Sequence, residues 1–311
     1  MLYFEFHQLG RSPTFAAMFY RRKIILALLE VFGGRLKKIN CQKLLFIISQ
    51  RQIKPSYDFV PYKYGCFSYS ASADLTAMVK HGFVLENVVE YEKRGTLSYI
   101  SELTQKDRAL INQVYLLFKN YDANGFMKYT YVHYPYYAIN SIAADKILDA
   151  SQMAKVNSNR RSFNESVLFT IGYEGISLEA YLNKLIKNGI KVLVDVRCNA
   201  LSQKYGFSKS HLQNNCNNLG IEYVHLPIVG IQSEKRQQLV TQDDYDLLFD
   251  NYKQTVIPET LSTQIEILAL LKKNKRIALT CYEANICQCH RKHLSEAITN
   301  LQDWDSELKH I

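Results

Sequence analysis

Apolar residues recur at two different periods along this chain, and the period changes near its middle. In the first half the spacing is helical, as in residues 19–32, where Gly33 and Gly34 end the pattern. In the second half, short and nearly continuous apolar runs alternate with helical stretches. The pattern predicts a mostly helical domain followed by an α/β domain.

The first half is predicted to contain three helices and a hairpin. Helices are predicted over 19–32, from Asn40 onward and over Ser70–Lys80, and a hairpin is predicted over 82–100. Its tip is placed at Lys93, Arg94 and Gly95. This is the order of a winged helix-turn-helix, in which a helix enters a groove of DNA and the wing contacts phosphate. Lys93 and Arg94, with Lys63, are therefore the predicted nucleic-acid contacts.

The second half is predicted to form a Rossmann-like, mainly parallel sheet with helices on both faces. The predicted strands are 167–171, 192–197, 221–226 and 276–281, and the predicted helices begin near 177, 209, 245, 261 and 291. Residues 151–166 are polar and without apolar periodicity, which predicts a linker between domains 1–150 and 167–311. The tyrosine-rich run 129–137 is interpreted as a domain seam, with base stacking as the alternative.

Charge is distributed unevenly between the halves. Residues 1–150 hold 19 Lys and Arg against 12 Asp and Glu (19 − 12 = +7), whereas the remainder holds 19 against 17 (19 − 17 = +2). A basic half suggests a polyanionic partner, such as DNA, or a protein. No membrane-spanning run and no secretion signal are visible, so we expect a cytoplasmic protein whose seven cysteines are reduced.

Unusual polar residues follow four predicted strands. In an open parallel sheet, ligands bind at the carboxyl ends of the strands, so these residues are expected to meet there. Glu174, Asp195 and Glu283 are the predicted general acids or bases. The predicted groups for binding substrate or phosphate are Tyr173, Arg197, His225 and Arg291, the last near a helix amino terminus.

A cysteine-rich segment follows the last predicted strand. Cys281, Cys287, Cys289 and His290 could supply four zinc ligands, although no Cys-x-x-Cys pair is present. Alternatively, Cys289 is a nucleophile at a helix start, or Cys281 is simply packed in the core. No cofactor is predicted, and zinc remains one of these alternatives.

Several motifs together resemble a known family over residues 168–298. They are TIGYEG at 170–175, VDVR at 194–197, GFSKSHL at 206–212, GIEYVHLP at 220–227, an arginine at 236 and CYEANICQCHR at 281–291. This region resembles the domain of unknown function 488 family. The resemblance implies that the predicted site residues Tyr173, Glu174, Asp195, Arg197, His225, Cys281, Glu283, Cys289, His290 and Arg291 stand at motif positions. It also implies a setting in bacterial defence or DNA modification.

The first half resembles a second group. KLLFII at 43–48, YDFVPYKYGCFS at 57–68 and DLTAMVKHGFV at 74–84 are similar to the SocA and Panacea group, which implies recognition of DNA or of a protein partner. The combined expectation is an enzyme that acts on nucleic acid or a nucleotide at an N-glycosidic or phosphate linkage. The alternatives are a nucleotide sensor that controls the first domain, and a thiol or zinc regulator.

Overall fold

A computed structural model describes residues 18–236 and 239–311 and divides the chain into two compact units. Unit one comprises the described residues up to Asp58 together with Cys66–Thr130. Unit two comprises Phe59–Gly65 and Tyr131–Ile311. The division falls inside the tyrosine-rich run, earlier than the predicted linker, and that linker is helical up to Ser158.

Unit one is helical around a small antiparallel sheet. The elements that begin before Thr130 are α1 (Tyr20–Val31), β1 (Arg35–Lys37), α2 (Lys38–Arg51), β2 (Val60–Tyr62), β3 (Gly65–Phe67), α3 (Tyr69–Lys80), β4 (Val84–Glu86), β5 (Glu90–Lys93), α4 (Gln105–Phe118) and α5 (Ala123–His133). The sheet has the order β1–β5–β4. The hairpin β2–β3 begins in the segment that belongs to unit two.

The hairpin of unit one turns earlier than predicted. β4 and β5 pair from Val84↔Lys93 to Glu86↔Tyr91, so the turn is residues 87–89. Asn87 sets this turn, because its side-chain oxygen accepts the backbone N–H groups of Val89 and Glu90. The tip is therefore apolar, with Val88 92% exposed, and Lys93 and Arg94 lie at the opposite end of β5.

Unit two alternates strands and helices after residue 166. Its elements are α6 (Ala144–Ile147), α7 (Ala150–Ser158), β6 (Val167–Gly172), α8 (Leu178–Lys187), β7 (Val192–Asp195), α9 (Lys209–Asn217), β8 (Glu222–His225), α10 (Gln242–Gln254), α11 (Val256–Glu259), α12 (Leu261–Asn274), β9 (Arg276–Cys281), α13 (Arg291–Thr299) and β10 (Glu307–His310). Among the described residues, no helix is long and apolar enough to cross a bilayer.

The five strands of unit two form one parallel sheet. Their order is β10–β6–β9–β7–β8, and every recorded pairing is parallel. β6, β7 and β9 are buried at every position, as near-continuous apolar strands of a parallel sheet should be. The α/β prediction for this half is confirmed.

Successive residues of a strand point to opposite faces of the sheet. On one face Leu168, Val192, Val194, Ile277 and Leu279 pack with apolar residues of α12 and α13. On the other face the hydroxyl of Tyr181, in α8, donates to the hydroxyl of Thr280 in β9 at 2.7 Å. We call these the α12–α13 face and the α8 face.

Candidate functional site

Four neighbouring strands end at what we call the carboxyl edge of the sheet. Register places Gly172 beside Cys281, Asp195 beside Thr280, and Asp195 beside His225. The predicted residues that follow these strands therefore share one edge. Alternation along the strands separates them, because Asp195 belongs to the α8 face and Cys281 to the α12–α13 face.

Asp195 lies in a closed network with Arg197, Tyr173 and Tyr223, which we call the Asp195 network. Its carboxylate is fully buried and accepts two side-chain N–H groups of Arg197, at 2.8 and 2.5 Å. It also accepts the Tyr223 hydroxyl at 2.6 Å and the backbone N–H of Arg197 at 3.1 Å. Two carboxylate oxygens provide about four acceptor positions. Asp195 therefore has none left for a substrate.

The rest of this network is equally occupied. Arg197 donates to the Tyr173 hydroxyl at 2.6 Å and to the carbonyl of Phe207 at 3.0 Å, and the Tyr173 and Phe207 rings stack at 4.2 Å. Burial disfavours the charged guanidinium, but the bonds to Asp195 outweigh it and raise the pKa of Arg197. We therefore assign Asp195, Arg197 and Tyr173, predicted to act on substrate, to holding the edge together.

His225 is half-buried beside this network. Its Nε2 lies 2.9 Å from the carbonyl oxygen of Arg197. Since a carbonyl only accepts, Nε2 carries the proton and Nδ1 is the acceptor of the neutral ring. This bond fixes the orientation of the ring at the carboxyl edge.

On the α12–α13 face, Cys281, Cys289 and His290 form what we call the thiol–imidazole cluster. Their ligand atoms all lie within 4.8 Å of one another, and all three residues are buried. Nδ1 of His290 is 3.8 Å from the Cys281 sulfur and 4.0 Å from the Cys289 sulfur. The ring is oriented by Nε2, which donates to the carbonyl of Val196 at 3.0 Å.

Arg236 connects this cluster to Glu283. Nη2 of Arg236 donates to Nδ1 of His290 at 2.7 Å, and its Nη1 forms an ion pair with Oε1 of Glu283. The other oxygen of Glu283 is buried and has no hydrogen-bond partner in the described structure. A carboxylate, a guanidinium and an imidazole thus lie in one hydrogen-bonded row, with one carboxylate oxygen unused.

Arg291 holds the loop that carries Glu283. It is 2% exposed and donates to the backbone carbonyls of Glu283 at 2.6 Å and Ala284 at 3.4 Å. A Cβ at position 172 would overlap the Glu283 carbonyl, so Gly172 leaves space for this loop. Nε of Arg291 is buried without a partner in the described structure. The predicted anion-binding arginine is therefore engaged mainly with backbone.

Glu174 is exposed and accepts the backbone N–H of Ala284 at 3.0 Å. Nearby, Lys204 donates to the carbonyl of Tyr173 at 2.6 Å. Burial lowers the pKa of Lys204, and the charge of Glu174 partly opposes that shift. Glu174 thus joins the loops after β6 and β9, apart from the row formed by Glu283, Arg236 and His290.

The two buried thiols differ in their ionisation. A hydrogen bond from Cys289, with the nearby His290 and Arg236, holds the pKa of Cys281 well below its usual value. Burial, and then the neighbouring Cys281, raise the pKa of Cys289 well above its usual value. The cluster can supply three metal ligands. Cys287, predicted as a fourth, is exposed and lies outside it.

A cavity of about 450 Å³ lies beside the same edge. Residues that follow β7 and β8, together with α10 and α11, line it, including Cys198, Ile231, Lys235 and Tyr252. The edge of the Tyr252 ring faces His290, with 5.6 Å between ring centroids. None of the three predicted carboxylates lines this cavity. Tyr252 therefore lies between this cavity and the thiol–imidazole cluster.

The comparison with protein families concerns this unit. Residues 177–298 match the family model described as "Domain of unknown function DUF488". The DUF488 region includes Asp195, His225, Glu283 and the thiol–imidazole cluster, and it begins after Tyr173 and Glu174. The resemblance predicted for the second half is thus supported over these residues. No curated protein matches the chain.

Sequence reasoning left Arg236 and Tyr223 out of the predicted site. The arginine was visible within the DUF488 motifs, but it lies far along the chain from the strand ends and its partners could not be read from its position. Tyr223 lies two residues before His225 in the same strand, so alternation places both on one face. The alternation of side chains along this strand was therefore the sequence feature that could have identified Tyr223.

The residues predicted to contact nucleic acid are divided between the units. Lys63 belongs to unit two, where its carbonyl accepts the N–H of Ile142. Lys93 and Arg94 belong to unit one. Lys93 donates to the carbonyl of Gly95 and lies over the Tyr99 ring, whereas Arg94 is exposed. Of the three, Lys93 and Arg94 therefore belong to the same compact unit.

Proposed function

We propose that unit two is an enzyme that acts on nucleic acid or a nucleotide and hydrolyses an N-glycosidic or phosphate linkage, with Glu283 as its general acid or base. The observation that carries this proposal is the state of the Glu283 carboxylate. One oxygen is paired with Arg236, and the other is buried without a hydrogen-bond partner in the described structure. Unpartnered buried polar atoms are rare and often mark functional sites.

The row has the groups that such a hydrolysis needs. The unused oxygen of Glu283 takes a proton from water, and the hydroxide attacks the anomeric carbon or the phosphorus. The leaving group departs with its bonding electrons and takes a proton from solvent or from the protonated carboxyl. The guanidinium of Arg236 bridges Glu283 and His290, which places its positive charge beside the reacting oxygen. There it would pair with negative charge on the substrate.

We further propose that unit two is Rossmann-like and that unit one is a winged-helix-like module that binds DNA. The first half has helix, strand, two helices and hairpin in chain order, with the short strands β2 and β3 between the two helices. The sheet order β1–β5–β4 places the first strand of unit one beside β5 of the hairpin. α3 precedes the hairpin, as a recognition helix does. The basic excess of the first half favours a polyanion.

A turnover panel tests the enzyme. Oligonucleotides with and without modified bases, and free nucleotides, are incubated with the wild type and with Glu283→Gln, and released base, sugar or phosphate is measured. We expect product from the wild type and a large loss in the variant. Binding without turnover would support the nucleotide-sensor alternative instead. Equal product from both proteins would exclude Glu283 as the acid or base.

A salt titration tests unit one. DNA binding by the full chain should weaken steeply as salt rises, because bound phosphates release counterions. Replacing Lys93 and Arg94 by glutamine should reduce that slope by about 0.9 for each phosphate that the variant no longer neutralises. Lys106→Gln, an exposed cation in α4, is the matched control. A flat salt response would favour a protein partner for this unit.

A metal-dependent regulator is the second candidate function, and the thiol–imidazole cluster is the observation that favours it. Two sulfur atoms and one imidazole nitrogen within 4.8 Å fit the soft ligand set that zinc prefers. Arg236 opposes this use, since its guanidinium occupies the same Nδ1 of His290 that would face the ion. Metal binding would therefore require Arg236 to move.

A further inference from the structure

We propose that unit two has a second binding site, at the opposite edge of its sheet, for a small phosphate-bearing ligand of nucleotide size. The site is a cavity of about 810 Å³ beside the residues that precede β7 and β8. Those strands begin at Val192 and Glu222 and end at Asp195 and His225. At about 3.3 Å per residue, the cavity is roughly 10 Å or more from the carboxyl edge.

The cavity is lined by cations and by no acidic residue of the described structure. Four basic side chains line it, namely Arg160, Arg161, Lys187 and Lys191. The remaining lining side chains are neutral, and they include Tyr136, Asn140 and Asn159. A concave surface with one sign of charge focuses its field and concentrates counter-ions. This arrangement therefore favours an anion.

Helix ends offset only part of this charge. α7, α8 and α9 end at Ser158, Lys187 and Asn217, next to lining residues, so three helix carboxyl termini face this edge. Each terminus carries about half a negative charge, or roughly 1.5 in total against four cations. About 2.5 positive charges therefore remain. If the cations only neutralised the helix termini, no net positive charge would remain. A phosphate monoester, at about −2, matches that remainder.

Two of the cations are held in place. Nε of Arg160 donates to the carbonyl of Ile139 and Nη1 donates to Asn157, both at 2.9 Å. These bonds fix the guanidinium plane and leave Nη2 for a ligand. Lys187 lies over the Tyr136 ring at 5.4 Å, and the Tyr136 hydroxyl donates to Asn183 at 2.7 Å. A guanidinium that is already held in place can donate from Nη2 to a phosphate with little further loss of side-chain freedom.

The size and lining point to a small ligand. Pockets for small molecules usually measure about 300–1,000 Å³, and this cavity falls inside that range. Tyr136 provides an aromatic ring. The amide nitrogens of Asn140 and Asn159 donate to the carbonyls of Pro61 and Lys155, so these two side chains offer their amide oxygens as acceptors for a base. The phosphate is the group that the four cations recognise, so nucleotide and inorganic polyphosphate share the chemistry that is proposed.

Calorimetric titration of the full chain tests this site with three probes: ATP, inorganic tripolyphosphate and a twelve-nucleotide single-stranded DNA. We expect ATP to bind with a submillimolar Kd. Arg160→Gln with Lys191→Gln should weaken that binding by at least about tenfold. Lys184→Gln, an exposed α8 cation outside the cavity lining, is the matched control and should bind as the wild type does.

The probes separate the possible sources. If tripolyphosphate binds as tightly as ATP, the site recognises the phosphate alone. If tripolyphosphate binds more weakly, the site also recognises the nucleoside. Either result supports the site. No ATP binding, ATP binding that is unchanged in the double variant, or equal loss in Lys184→Gln would overturn it. So would tight DNA binding without ATP binding. Glu283→Gln should leave the Kd unchanged, so this result stands apart from that of the proposed enzyme.

Discussion

Asp195 and Cys281 end adjacent strands of one parallel sheet, and their side chains point to opposite faces of it. Asp195 is saturated by Arg197 and Tyr223. Cys281 instead joins Cys289 and His290. The carboxyl edge thus has a structural side and a chemically open side, and substitutions on the two sides should have different effects.

Asp195→Asn should destabilise unit two. Removing one partner of a buried ion pair costs about 3–5 kcal/mol, because the other charge stays buried and unpaired. Hydrogen exchange of β7 and β8 in the full chain measures this loss within the unit. Tyr223→Phe removes one hydrogen bond and should cost about 1 kcal/mol. Unchanged protection in both variants would contradict a structural role for the Asp195 network.

The thiol–imidazole cluster makes a clear prediction about metal. If it holds zinc, protein purified without chelator should contain about one zinc per chain. Cys281→Ser and Cys289→Ser should each lose that zinc, whereas Cys287→Ser, an exposed thiol of the same loop, should keep it. Elemental analysis of the four proteins measures the content. Zinc that is absent from the wild type, or that depends on Cys287, would rule out this metal site.

Gly172→Ala tests how the Glu283 loop is placed. The new methyl group would overlap the Glu283 carbonyl, so the loop must shift away from β6. We expect a loss of about 1–3 kcal/mol in stability, as for other overpacked sites, and reduced turnover. Hydrogen exchange of residues 282–286 reports the shift directly. Wild-type protection there, with full activity, would show that the close approach is not required.

Asp74 should make unit one sensitive to acid. Burial alone would raise its pKa, but hydrogen bonds from Arg21 and Arg22, at 2.5 and 2.7 Å, lower it. A carboxyl whose folded pKa is lowered stabilises the fold above its unfolded pKa of about 4, and that contribution disappears as pH falls through the folded pKa.

Asp74→Asn should therefore lose more stability at pH 7 than at pH 3, by about 1 kcal/mol, because an unfolded pKa of about 4 limits the change over this interval to roughly 1.4 kcal/mol. Hydrogen exchange of α3 at the two pH values checks this difference. Glu86→Gln, which breaks a half-exposed ion pair with Lys38, should change stability by less than about 1 kcal/mol at either pH. An equal loss for Asp74→Asn at both pH values would show that its charge does not stabilise unit one.

The sequence predicted the sheet of unit two well because its strands are continuous apolar runs. β9 was predicted with its observed bounds, β6 within one residue, and β7 with its observed start but an end two residues too late. β10 was missed because its sequence, ELKH, is polar and mostly exposed, as an edge strand can be. The hairpin of unit one lies elsewhere than predicted because Lys93, Arg94 and Gly95 are typical of a hairpin tip, whereas Asn87 fixes the turn.

The site was predicted as a set of strand ends, and that much follows from topology alone. Which ends cooperate depends on side-chain direction, and Asp195 and Cys281 point to opposite faces although they end adjacent strands. Arg236 was out of reach, since no periodic signal relates residue 236 to residues 283 and 290. Long-range pairing of this kind depends on the packed structure.

The most direct test of the account is a matched comparison of Glu283→Gln with Glu174→Gln on whichever substrate the panel identifies. Both carboxylates lie at the carboxyl edge, but only Glu283 joins Arg236 and carries a buried, unused oxygen. We expect kcat/KM to fall about 10²- to 10⁴-fold in Glu283→Gln and less than about tenfold in Glu174→Gln. Equal losses in the two variants, or a greater loss in Glu174→Gln, would contradict the assignment of Glu283.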